Sequence, residues 1–505
     1  MPTNNYKRMA KNASMLYIRM LLTMAVTLYT SRVIMQTLGV EDFGIYNVVA
    51  GFVTMLGFLH GAMSSATQRF IAFELGQPDI KNLPAIFSMS MNIHILIAFI
   101  VLILGETIGL WFVKTQMNIP HDRMLAAEWV FHLSILSFIV TIVSVPYNAL
   151  IIAHEQMSIF AAVSVVDVLL KLMIVFMLNW FGLDKLILYA LLSLAVTTII
   201  FLVYRNYCKY KFNDSKFIFY WDKKLFHTMT SYTGWNLWGN IASVMSNQGT
   251  NILLNIFFGP AVNAARAIAM QVSNALNSFV QNIQVAINPQ IIKSYSSNDM
   301  RYMHRLVSYG SKYNLFLLFL LSMPVLLNIN IILEFWLGIT PKYTSIFVQL
   351  MIVNILIDCV SRPLMTAAQA TGKIKLYQSV VGGLLLLNLP LSYFILKHGA
   401  PVYSVIYVSI AISVIAFISR LVILDKLISL PIKHYLKEVI GRGSLVIGLS
   451  VITLQSITIY LKDDLNIFES SVLTLLITFI FIAFFGLDKT ERQFITKNIK
   501  ALFIR

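Results

Sequence analysis

Long apolar stretches recur down almost the whole chain, each roughly the ~20 residues a helix needs to cross about 30 Å of bilayer hydrocarbon. Fourteen can be read, at approximately 14–37, 43–68, 85–111, 127–152, 158–181, 185–206, 230–258, 261–291, 307–333, 345–370, 376–398, 402–424, 441–461 and 470–487. The second and eighth are the least hydrophobic. Of 505 residues, 58% are hydrophobic and 12% charged, about half the charged share of a soluble domain. A net charge of +16 does not indicate a nucleic-acid partner, because such proteins are basic and polar together. No cleavable signal peptide is expected: Met1 to Lys11 is short and polar, and the first span runs on past signal length with arginines in it.

An even number of spans puts both termini on one side. The basic clusters Arg205 to Lys224, Lys293 to Lys312, Arg420 to Arg442 and Lys489 to Arg505 fall on that side. The opposite turns are acidic or nearly neutral, as at Glu41-Asp42 and Asp463-Asp464. Such a bias assigns the termini to the cytoplasm. Cys208 at the rim and Cys359 within a span make no bridge. The tail Lys489 to Arg505 places Phe494, Ile495, Ile499, Leu502 and Phe503 among bases, as a helix on the inner membrane surface or as a solvated tail.

Sliding the chain by 220 residues brings Gly39 onto Gly259, Ala66 onto Ala286 and Ile71 onto Ile291; a shift of 217 brings Pro146 onto Pro363 and Ala153 onto Ala370. Six spans per shift give two lobes of equal orientation, a parallel repeat used by transporters that bind at the repeat interface. The expected organisation is a six-helix lobe over 1–206, a cytoplasmic linker over 207–229, and a second six-helix lobe over 230–424. Two extra helices with a basic loop follow over 425–487, then a basic tail over 488–505. The extra helices are a lipid-facing addition or a groove for a lipid tail.

Polar residues at membrane depth are costly, so their positions carry the functional signal. Arg19 shares a face of the first span with Thr23, Thr30 and Thr37. It either snorkels to the headgroups or joins Arg32 in offering forked donors to phosphate oxygens; Arg32 could instead pair with Glu41 or Asp42. Asn236, Asn240, Ser243, Asn247 and Asn251 recur every three or four residues in the seventh span. Asn263, Arg266, Asn274, Asn277, Gln281, Gln284 and Asn288 do so in the eighth. Such amides glue helices or line a hydrophilic lumen that matches sugar hydroxyls. Arg69 is an anchor or attracts an anionic headgroup. Asp167 with Lys171, and Asp358 with Arg362, are i,i+4 pairs in mid-span: local ion pairs, or sites where an acid binds a coupling proton or cation. Gly57, Gly61, Gly234, Gly239, Gly382 and Gly383 suggest close helix approach or bending; Pro146, Pro324, Pro363 and Pro390 suggest kinks.

No Walker A pattern, metal-spaced His/Cys cluster or nucleophile elbow is present. The longest outside loop, roughly 112–126, is too short for a catalytic domain. The chain reads as a non-enzyme without metal or cofactor, with H+ or Na+ coupling left open.

LYTSRVIMQTLGVEDFGIYNVVAGFV (28–53) and SSATQRFIAFELG (64–76) resemble the N-terminal region of Wzx-type O-antigen and polysaccharide flippases. GWNLWGN (234–240), QGTNILLNIFFGPAVNAARAIAMQV (248–272) and INPQIIKSY (287–295) are similar to the same family. These belong to the multidrug/oligosaccharidyl-lipid/polysaccharide exporter superfamily. The resemblance covers about the first 425 residues and implies an all-α membrane protein of two six-helix lobes in a MATE-like V, here with two C-terminal helices added. It also implies a cationic cavity lined by spans one, two, seven and eight, and an undecaprenyl-diphosphate-linked oligosaccharide as cargo. Membrane lipids, a polysaccharide polymerase and a chain-length regulator are the implied partners. A cation or drug antiporter of MATE type and a lipid II flippase are the alternatives.

Overall fold

The computed structural model describes residues 3–54, 56–79, 82–117, 119–178, 180, 182–212, 217–258, 260–337, 340–461, 466–488 and 491–493. The side chain of Arg32 and the basic tail beyond 493 lie outside the described residues. Every regular element among the described residues is helical. Ten helices there are long and apolar enough to cross a bilayer: Leu83–Thr115, His121–Ala153, Met157–Met177, Lys185–Lys211, Met300–Leu327, Thr344–Ala370, Ile374–Lys397, Ser404–Ile428, Ile432–Ile457 and Phe468–Gly486. They correspond to the third to sixth and ninth to fourteenth of the spans read from sequence. The described residues of the other four stretches are also helical, and among them Ser14–Thr27 forms a shorter apolar helix.

By packing the chain divides into two compact units, Met1–Ile241 with Ile292–Asn298, and Ala242–Ile291 with Asp299–Arg505. The first unit contains α1 (Thr3–Thr54), α2 (Gly57–Glu74), α3 (Leu83–Leu104), α4 (Leu110–Gln116), α5 (Met124–Ala153), α6 (Met157–Met177) and α7 (Lys185–Lys211). A straight helix the length of α1 would measure about 78 Å, far more than a bilayer. Its packing shows a reversal instead. Arg19 lies beside Phe160 and Ser164, and Ile34 and Leu38 beside Val175 and Leu178, so this stretch follows α6 from start to end. Ile45, Val49 and Val53 then pack with Val130 and Phe131, and Met63 with Ile142, so the chain follows α5 from start to end. A turn at His154–Gln156 makes α5 and α6 antiparallel, with Glu155 at φ 61°. The direction therefore changes between Leu38 and Ile45 while the backbone stays helical, where sequence suggests a loop at Glu41-Asp42. The outside loop expected over 112–126 is also largely helical: α4 continues α3 through a π turn at Gly105–Gly109, and a 3-10 turn at His121–Arg123 leads into α5.

α8 (Lys223–Phe258) and α9 (Pro260–Ser296) contribute residues to both units. The second unit continues with α10 (Met300–Leu327), α11 (Ile329–Leu337), α12 (Thr344–Ala370), α13 (Ile374–Leu386), α14 (Asn388–Lys397), α15 (Ser404–Ile428), α16 (Ile432–Tyr435), α17 (Arg442–Leu461) and α18 (Ile467–Phe481). Phe316, Phe319 and Met323 of α10 form a core with Val446 and Leu454 of α17, and Phe481 of α18 packs against it. The two helices outside the repeat are thus seated on α10. Lys312, 1% exposed, completes the attachment through an ion pair to Glu491 at 2.7 Å.

Helices run unbroken through Pro146, Pro324 and Pro363. At Pro390 there is a break: its ring clashes with the carbonyl four residues back, on Leu386, the last residue of α13. Among the described residues nothing lies within 4 Å of a Cβ added at Gly57, Gly234 or Gly383, so of the two roles expected of them, close approach is not the one these three serve. That role falls to Gly76, where a Cβ would lie 2.6 Å from the Lys293 carbonyl oxygen.

Candidate functional site

Within the first unit, α2, α5, α6 and α7 enclose a cavity of about 280 Å³. Each of the last three turns one helical face toward it: Thr141, Ser144 and Asn148 of α5; Phe160, Ser164, Asp167 and Lys171 of α6; Thr197 and Tyr204 of α7. These spacings of three, four and seven put polar side chains on one stripe. His60 of α2 joins the lining. Asp167 and Lys171 meet at 2.8 Å on this wall, and the Lys171 side chain keeps nearly half of its surface exposed. Arg19 flanks the cavity, its guanidinium 4.8 Å from the Phe160 ring centre and 3.4 Å from Ser164 Oγ. The threonines that share its face donate to carbonyls of their own helix: Thr23 to Met20, Thr30 to Val26 and Thr37 to Val33.

Arg69 is buried in an aromatic cage, 4.8 Å from the centre of Phe70, 4.6 Å from Phe73 and 5.5 Å from Tyr232. Asn236 is buried and hydrogen-bonds Tyr232, while Asn240 donates to the Asn236 carbonyl at 2.9 Å. The acidic side of the unit is clasped by Arg123, which bridges Asp42 and Asp184 at 2.6 Å each. Asp42 is therefore engaged by Arg123. The Asp184 carboxyl is held below the usual range: burial pushes it up, but Arg123 and the amides of Ile187 and Leu186 outweigh that.

In the second unit Arg266 is buried and donates to Asn251 and, at 3.3 Å, to the Met270 sulfur. Asn251 donates onward to Gln248 at 3.0 Å, and Asn247 to the Ser243 carbonyl. Asn274 and Gln281 are exposed. Two other amides of α9 bind α12: Asn277 accepts from Arg362 at 3.1 Å and Asn288 from Thr366 at 2.9 Å. The pairing of Asp358 with Arg362 expected from their spacing does not form. Arg362 turns to Asn277, and Asp358 hydrogen-bonds Ser413 and Asn354 in the field of Arg420 and Arg362. Arg420, buried on α15 and donating to Tyr377 at 3.1 Å, is the second cation there. Its sequence position at the edge of a basic cluster hides this. The inward faces of α5 and α7 were missed in the sequence; the three-, four- and seven-residue spacings of Thr141, Ser144 and Asn148, and of Thr197 and Tyr204, are the weak signal that could have found them.

The sequence profile of the polysaccharide biosynthesis protein family matches residues 9–295. EpsK, an uncharacterized membrane protein of Bacillus subtilis (strain 168), is 22% identical over 334 residues, covering 65% of this chain and 64% of that protein. The match thus spans less than two thirds of that relative. A multidrug resistance MATE family transporter of the MOP superfamily, solved in an outward-facing conformation, has a TM-score of 0.70 at 12% identity over 84% of this chain and 96% of that one. A MOP superfamily transporter from Pyrococcus furiosus has a TM-score of 0.68 at 11% identity over 83% and 96%. The class is therefore a multi-pass, all-helical membrane protein with the MATE-type transporter fold. Within it, the chain belongs to the polysaccharide biosynthesis protein family, whose profile contains every block that carries the resemblance noted in the sequence.

Proposed function

We propose that this protein is an alternating-access flippase for an undecaprenyl-diphosphate-linked oligosaccharide, the repeat unit of an O-antigen or other surface polysaccharide. It moves its cargo from the inner to the outer leaflet of the bacterial cytoplasmic membrane, with both termini in the cytoplasm. One observation carries the reading. In a family of polysaccharide biosynthesis, the helices of the first, second, seventh and eighth spans read from sequence hold Arg19, Arg32, Arg69, Arg266 and the amide stripes. Such residues are costly in a bilayer and are retained for a cargo that is itself costly to move. Arg19, Arg32 and Arg266 engage the diphosphate, for which guanidinium forks are suited. Arg69, caged by rings, positions α2 and α8. Asn236, Asn240, Asn247, Asn251, Asn274 and Gln281 serve the glycan. Asp167 takes up a coupling proton or cation and releases Lys171. A polymerase and a chain-length regulator receive the product.

Arg19→Ala and Arg266→Ala are expected to abolish surface glycan while leaving expression and folding intact. Full surface glycan in both would remove the diphosphate assignment.

The fold serves a MATE-type drug antiporter equally well, and in the Pyrococcus furiosus transporter reverse polarity of the binding pocket suggests a different function. Here the basic residues on those four helices favour an anionic cargo. A gain in drug resistance on expression, with no effect on surface glycan, would favour the antiporter. Rescue of cell-wall synthesis would favour lipid II.

A further inference from the structure

A second cavity, of about 230 Å³, opens in the other unit along the first half of α10, where basic residues cluster. Its lining includes Arg305 and Lys312 of α10, Glu438 between α16 and α17, Arg442 at the start of α17, and Asp488 after α18, together with His304 and His434. The lining mixes signs. Glu438 and Arg442 form an ion pair at 3.0 Å, and Asp488 accepts from the Glu491 amide at 2.7 Å. Glu438 lies on a π-helical turn, Leu436–Gly441, of the kind that often marks a functional site. Beyond this polar end the helix changes character. Leu445 and Ile452 follow Arg442 at three and ten residues on the same face, and both are exposed, at 47% and 64%. A charged pocket leading onto an exposed apolar ridge fits an amphiphile better than a soluble ion.

We propose that this pocket holds the headgroup of an ethanolamine phospholipid from the cytoplasmic leaflet, with one acyl chain along Leu445 and Ile452. The phosphodiester is met by Arg305 and Arg442, for which forked donors are suited. The primary ammonium is met by Glu438 and Asp488. A lone anion would engage the guanidinium groups but bring no cation to the two carboxylates, and a choline headgroup has no N–H to give them. The site is independent of what the protein transports.

The full chain in detergent is titrated by native mass spectrometry with phosphatidylethanolamine, phosphatidylglycerol and phosphatidylcholine separately, and with inorganic phosphate as competitor. Phosphatidylethanolamine is expected to bind about tenfold more tightly than either other lipid, the equivalent of one lost charged hydrogen bond. Arg442→Gln weakens both phosphatidylethanolamine and phosphatidylglycerol. Glu438→Gln removes the preference for ethanolamine and leaves phosphatidylglycerol at least as well bound. Arg305→Gln, outside the Glu438–Arg442 ion pair, repeats the phosphate arm if Arg442→Gln lowers the thermal midpoint. Equal binding of the three lipids overturns the proposal, as does an unchanged preference in Glu438→Gln. Displacement of lipid by phosphate at equal concentration would assign the pocket to a free anion and overturn it as well.

Discussion

Both units carry an acid followed four residues later by a base on a long apolar helix, and the two pairs behave differently. Asp167 and Lys171 of α6 close at 2.8 Å on the wall of a cavity, beside Asn148, Ser144 and His60. Asp358 and Arg362 of α12 do not close. Arg362 is drawn to Asn277 of α9, and Asp358 is held among Ser413, Asn354 and the guanidinium of Arg420. An i,i+4 spacing brings two side chains within reach. Which bond forms depends on what neighbouring helices offer. The pair on α6 can separate while water or hydroxyls replace each partner, as a coupling step needs. The acid on α12 neutralises cations from two helices and acts as a joint.

That contrast is most exposed to Asp358→Asn. It leaves Arg362 and Arg420 without their carboxylate, and about 3 kcal/mol of stability should be lost, as when one member of a buried pair is removed. The thermal midpoint in detergent measures it; a wild-type midpoint would make Asp358 as dispensable to folding as Asp167. Asn277→Ala frees Arg362 to turn toward Asp358 and should cost about 1.5 kcal/mol, the value of a hydrogen bond to a charged group. A double-mutant cycle with Asp358→Asn should show coupling, and strict additivity would contradict this picture. Asp167→Asn should cost about 1 kcal/mol or less, because its partner is well exposed, yet surface glycan should be lost. A stability loss equal to that of Asp358→Asn would erase the distinction between the pairs.

The effect confined to acid pH lies beyond the end of α5, where charge is governed by pH. His154 stacks on Phe212 at 4.2 Å, and burial together with the charge of Lys293 pushes its pKa down to about 4. The unfolded chain, near 6.5, binds more protons between those values, so stability rises with pH across that window. The contribution is complete above about pH 6.5 and gone near pH 4. His154→Phe should flatten the thermal midpoint between pH 4 and 6.5; an unchanged slope would mean that another group sets it.

Much of the fold could be read in advance because bilayer crossing is a local demand. Each of the ten apolar helices meets it within its own residues. The family blocks and the pair on α6 are likewise contained in short stretches. What escaped the sequence depends on partners far along the chain. The cage around Arg69 needs Tyr232, the clasp at Arg123 needs Asp42 and Asp184, and Arg362 needs Asn277. The continuous helical backbone between Leu38 and Ile45 escaped for another reason: acidic residues there looked like a turn, whereas packing along α6 and then α5 is what redirects the chain.

Apolar length, charge placement and spacing along single helices thus determined, from sequence alone, a many-helix membrane protein with polar residues concentrated on four of its helices. Tertiary structure decided which of those residues face a cavity, which are caged, and which ion pairs close. It also seated the last two helices on α10 through Lys312 and Glu491. The physical reason is that crossing a bilayer is settled by the free energy of one segment. The fate of a buried charge is settled by whichever partner, from any helix, best replaces the water it has lost.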